Sequence, residues 1–219
     1  MTALTRLWLA ALAITNSLAA AQDTGIKPPR QPHPPTGSAD GKLLTFNDTV
    51  VAPTLSADSL SLEWVSGDED GLVVYLSETS GALILENFIT QENSTLVPAE
   101  DVPADYWEYW VRSDLSKVLF SVNYTKQYRY SYFADYVVYD VESGETSSLV
   151  DDSNGDVLYA ELAPTGEMVV FSRGNDLFVK DLGTGSTERV TNDGGPDLFH
   201  GVPDWVYEEE ILGGRKAFW

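Results

Sequence analysis

The chain has 219 residues, with 13 Lys+Arg against 34 Asp+Glu, a formal net charge of −21, two His and no Cys. That length holds one large β domain or two small ones, and the charge repels nucleic acid and anionic membrane surfaces while attracting cations. Without cysteine there is no disulfide, thiolate nucleophile or cysteine-ligated metal, and His33 and His200 cannot build a histidine-rich centre, so neither metal nor cofactor is expected.

Residues 1–21 read as a secretory signal. Arg6 gives a positive start, residues 7–14 an apolar core, and Ala19-Ala20-Ala21 a small-residue cleavage site. The apolar core is too short to span a bilayer comfortably, so a membrane anchor is the second reading. A secreted, extracellular product is expected. Residues 22–40, with Pro28, Pro29, Pro32, Pro34 and Pro35, form a tether that can be neither helix nor central strand. Three Asn-x-Ser/Thr sequons, at Asn47, Asn93 and Asn123, gain meaning behind a signal peptide and are expected to carry glycans.

From residue 41 to 219 the pattern is all-β: short β-branched and aromatic runs separated by Gly, Asp, Asn and Ser turns. Strands are predicted at 61–65, 71–76, 83–88, 118–124, 136–140, 168–172 and 176–181. A repeat underlies them. Residues 113–121 (SDLSKVLFS) return as 163–172 (APTGEMVVFS), and a later strand ends at Asp140 or Asp181 with a Gly turn beyond it. A looser copy opens near residue 56. This spacing approximates the ~40–50 residues of a four-stranded propeller blade. A β-sandwich has the same alternation, but the repeat favours a propeller. About three blades fit, which do not close a ring of ~4–8, so an N-terminal portion of a larger propeller is expected.

The string Asp204-Trp205-Val206-Tyr207-Glu208-Glu209-Glu210 carries the chemistry. Adjacent carboxylates on a helical or irregular segment can converge on one ligand, whereas on a strand they face opposite sides. Two acceptor-only carboxylates complement a free peptide N-terminus, a cation with three donors. A solvated acidic loop is the bland alternative. Asp68-Glu69-Asp70 and Asp151-Asp152 are weighed as cation ligands, but both precede glycines in turn-like contexts and neither fits a calcium loop.

The complete acidic string resembles the double-glutamate motif of the dipeptidyl peptidase IV family, in the prolyl oligopeptidase superfamily. A second likeness is Asn123-Tyr124-Thr125-Lys126-Gln127-Tyr128-Arg129-Tyr130-Ser131-Tyr132, and a third is the hairpin Asn175-Asp176-Leu177-Phe178-Val179-Lys180. The secreted fungal-type members are the most similar. The resemblance implies an eight-bladed propeller capping an α/β-hydrolase domain, and release of Xaa-Pro or Xaa-Ala dipeptides from peptide N-termini. It assigns Glu209 and Glu210 to the substrate's free amine and Arg129 to a substrate carbonyl, with Trp205 and Tyr207 packing the segment. It also admits a homodimer of the full-length enzyme. No Gly-x-Ser-x-Gly elbow occurs in the 219 residues. The catalytic triad and the α/β-hydrolase domain are therefore expected outside this chain, which by itself should not hydrolyse peptides. The second functional reading is a non-catalytic propeller that binds peptides or proteins.

Overall fold

The computed structural model describes residues 45–51, 60–66 and 69–219. The signal, the tether and the repeat copy near residue 56 lie outside the described residues. Contacts divide the chain into two units, 1–57 and 58–219. Of the first, residues Asn47–Val51 form a π-helical turn. The second contains every strand described here.

Twelve strands form three antiparallel four-stranded meanders, each pairing in chain order. The first is β1 (Leu62–Trp64), β2 (Leu72–Leu76), β3 (Leu83–Asn87) and β4 (Glu92–Val97). The second is β5 (Glu108–Val111), β6 (Lys117–Lys126), β7 (Tyr132–Asp140) and β8 (Thr146–Ser148). The third is β9 (Val157–Leu162), β10 (Met168–Arg173), β11 (Asp176–Asp181) and β12 (Thr187–Arg189). Only the pair Ala134–Val157 links the second ladder to the third. These are three blades of a propeller that does not close on itself.

The repeat has a physical core in the turn after the third strand of each blade. Asp140 Oδ1 accepts from Ser143 N, and Asp181 Oδ1 accepts from Gly183 N and Thr184 N. The residue that closes each turn, Gly144 or Gly185, has φ near +70° and donates back to the aspartate carbonyl. The first blade contains the same turn in other residues. Asn87 Oδ1 accepts from Ile89 N and Thr90 N, and Gln91 takes the left-handed position at φ 61°. The first two strands of that blade are joined in the same way on the described side, where Val65 N donates to the Leu72 carbonyl.

Packing occurs between blades. Val118 and Phe120 of β6 join Val74, Leu83, Leu96, Val97 and Tyr139 in one cluster. Leu119, pointing the other way by strand alternation, joins Tyr136, Val138, Leu149, Val157, Val169 and Phe171 in another. The middle blade is therefore covered on both faces. Polar contacts cross the second seam as well: Arg112 donates to the Gly166 carbonyl, and Lys117 Nζ lies 3.3 Å from Glu167.

Five strands fall outside the sequence expectation: β4, β5, β8, β9 and β12. Two of them, β8 and β12, are three residues long and fully exposed, so they carry no apolar alternation to read.

Two turn carboxylates make the fold sensitive to acid. The Lys117 ammonium holds Asp140 well below the usual carboxylate range, at about 2, and the Arg112 guanidinium does the same for Asp114. Because these pKa values fall on folding from 3.8, the stabilisation is complete above that value and disappears as pH drops toward 2. Thermal melts between about pH 5 and pH 2 should show a falling midpoint, and an Asp114→Asn/Asp140→Asn double variant should show a shallower fall than the parent.

Candidate functional site

The three glutamates of the acidic string lie on a single π-helical turn, Tyr207–Leu212. Asp204 starts it by accepting from Val206 N (2.9 Å) and Tyr207 N (3.1 Å), which satisfies two otherwise orphan donors. Gly213 ends it in the left-handed region at φ 60°, where a side chain would be strained. The turn therefore begins and stops where local chemistry dictates, and three consecutive glutamates share one short segment.

They do not share one environment. Glu208 is fully buried. Its Oε1 accepts from Tyr130 N at 2.6 Å and Ser131 N at 3.0 Å, while Oε2 has no partner among the described residues. Glu209 is partly buried, and Glu210 is exposed. Trp205 and Tyr207, expected to pack the segment, instead stand 54% and 53% exposed. The packing role falls to Glu208, whose neighbours in the string gave no hint that one carboxylate would turn inward.

Opposite the turn is the β6–β7 hairpin. A bulge at Asn123, which has positive φ, shifts the register between Val122 and Thr125 and carries the hairpin outward. Its tip closes through Gln127 N and Tyr128 N, both donating to the Ser131 carbonyl. Arg129 sits at that tip. Its Nε lies 3.6 Å from Glu209 Oε1, although 80 residues of chain separate the two. Two of the three residues assigned to the substrate thus meet directly, and Glu210 is next along the same turn.

Beyond the turn, Arg215 anchors the chain. Its buried guanidinium donates to the Tyr136 hydroxyl (3.1 Å), the Leu158 carbonyl (3.3 Å) and Glu108 (3.2 Å), and also to the Tyr132 hydroxyl. It lies 3.6 Å from the Tyr132 ring centroid and 5.0 Å from that of Tyr159. Burial pushes the Tyr132 and Tyr136 phenols up, so they remain neutral partners. Lys216 continues the tie at 2.8 Å from Glu161. Sequence reading missed Arg215; its only signal was a basic pair closing an acidic, glycine-bounded segment.

The other candidates are dispersed. Asn47 and Asn93 are exposed, the latter on β4. Asn123 is also exposed, but its amide nitrogen donates to Asp135 at 2.9 Å. Asp151 and Asp152 lie in a turn where Asp152 pairs with Arg173. Asp176, Asp193 and His200 bring ligand atoms within 4.8 Å of one another. The Asp176 carboxylate is already engaged by Arg189, Thr191 and the Gly194 amide.

Arg215→Ala should lower stability by roughly 2–3 kcal/mol, below the 3–5 typical of a fully buried pair because Glu108 is partly exposed. Chemical denaturation would measure it, and Arg215→Lys should recover only part, since an ammonium lacks the forked donors.

Residues 112–219 match the model of the dipeptidyl peptidase IV (DPP IV) N-terminal region. The chain is 53% identical over 191 residues to a probable dipeptidyl peptidase 4 of Neosartorya fischeri, covering 87% of this chain and 24% of that protein. It is 51% identical over 194 residues to dipeptidyl peptidase 4 of Trichophyton tonsurans, covering 89% of this chain and again 24% of the relative. It therefore spans about a quarter of the length of the curated relatives it matches. In fold it is similar to the crystal structure of Porphyromonas gingivalis dipeptidyl peptidase 4, with a TM-score of 0.66 at 23% identity over 80% of this chain and 26% of that one. Three antiparallel blades, the match to the family's N-terminal region and relatives about half identical over most of this chain place it in the dipeptidyl peptidase IV family, as its N-terminal region.

Proposed function

We propose that this region selects substrates for a secreted serine-type dipeptidyl peptidase, holding the free N-terminus of a peptide so that Xaa-Pro or Xaa-Ala dipeptides are released. The observation that carries this reading is the approach of Arg129 to Glu209 beside Glu210. Arg129 offsets one of the two carboxylate charges, leaving a net of one negative charge for an incoming ammonium. Its side chain is 64% exposed, so the pair is worth less than about 1 kcal/mol and the guanidinium is free to swing toward a carbonyl.

The arrangement acts as a ruler. With the amine fixed, a nucleophile supplied by a hydrolase domain meets only the second peptide bond, and energy gained at the remote amine positions the reacting carbonyl. Asn47, Asn93 and Asn123 are proposed to carry glycans in the secreted product, and peptides with a free N-terminus are its proposed partners.

Each charge-assisted hydrogen bond is worth about 1.5–3 kcal/mol, so losing one corresponds to about ten- to a hundredfold in efficiency. The test begins with the reading frame beyond codon 219, where a Gly-x-Ser-x-Gly elbow is expected, followed by assay of the secreted protein on a Gly-Pro chromogenic substrate. Glu209→Ala and Glu210→Ala should each reduce kcat/KM by at least tenfold with little change in melting temperature, and N-acetylated substrate should not be cleaved. Unchanged turnover in both variants would refute the reading, and a frame without the serine elbow would favour a non-catalytic peptide-binding module.

A further inference from the structure

The geometry points to Glu208 as a positioning residue that sets the spacing between Arg129 and the carboxylates of Glu209 and Glu210; this rests on the site reading above. Glu208 is adjacent in sequence to Glu209, and its two hydrogen-bond donors, Tyr130 N and Ser131 N, immediately follow Arg129. One buried carboxylate oxygen therefore joins the two halves of the site at a distance of a single residue from each. The other tie, Arg215, reaches Tyr132 just beyond the hairpin tip but leaves the tip itself untouched.

Energetics favour position over stability as the contribution of this contact. A buried carboxylate with one oxygen unpaired opposes folding. The exposed Arg129–Glu209 pair is too weak to hold the hairpin against the turn by itself. Without Glu208 the tip retains its internal bonds from Gln127 and Tyr128 and that exposed ion pair, and Arg129 can drift from the turn. A glutamine keeps an oxygen able to accept from both amides and carries no charge to bury. Function and stability should therefore separate on substitution.

The test uses the full chain and a Gly-Pro dipeptide amide, with its N-acetyl form as control, read by calorimetric titration and by hydrogen exchange at the Tyr130 and Ser131 amides. Glu208→Ala should speed exchange at both amides by at least tenfold and weaken binding of the free-amine probe by at least tenfold. Glu208→Gln should stay within about twofold of the parent in both, with equal or higher melting temperature. In an Arg129→Ala background, Glu208→Ala should cost little further binding, because Glu208 acts through the placement of that arginine. Should Glu208→Ala fail to fold, Glu208→Asp, one methylene shorter, takes its place with the same expected direction. Parent-like exchange in a folded Ala or Asp variant overturns the inference, as does a binding loss of full size in the Arg129→Ala background. A parent chain that binds free and acetylated probes equally overturns the site reading instead, and the exchange result still decides the role of Glu208.

Discussion

Each blade has two apolar faces and too little side-chain volume to cover either alone, so everything in this molecule depends on burial between neighbouring sheets. The middle blade shows the constraint most directly. Val118, Leu119 and Phe120 are consecutive and all fully buried, because alternation sends them into two different interblade clusters. A two-layer sandwich would have left one of those directions facing solvent. The polar ties follow the same logic. Arg112 and Lys117 reach across the seam to the opening turn of the next blade, where buried apolar contact has already brought the backbones together.

The candidate site is built on that seam. A bulged hairpin leaves the middle blade and an acidic turn follows the third, and they meet through a buried carboxylate on one side and a buried guanidinium on the other. The three consecutive glutamates illustrate how burial divides labour among identical side chains: Glu208 faces backbone amides, Glu209 faces an arginine, and Glu210 faces solvent. A run that looks uniform in composition is chemically graded in space.

Much of the fold was legible, for identifiable reasons. The second and third strands of each blade carry β-branched and aromatic runs bounded by strong turns, and they lie within a few residues of expectation. The fourth strand of every blade and the first strand of the second and third were missed, since their residues answer to the neighbouring blade or to water rather than to their own sheet. The turn that marks the repeat is hard to read in the first blade because Asn87 and Gln91 do the work done by Asp and Gly elsewhere; side-chain type changed while the hydrogen-bond pattern persisted. At the site, the motifs drew attention to a segment and an arginine that the fold brings together. The inward turn of Glu208, the outward exposure of Trp205 and Tyr207 and the anchoring by Arg215 arise from contacts some 80 residues away in sequence, and no local pattern announces them.

The outermost strands have one more consequence. At three residues each, with polar side chains throughout, β8 and β12 present only a handful of unpaired backbone groups. A foreign chain seeking to extend the sheet would find too short a ladder to repay its own ordering, and no apolar stripe to grip. The rim of each of these blades therefore works as a built-in brake on amyloid-like growth, leaving the broad faces, not the margins, as the surfaces that seek company.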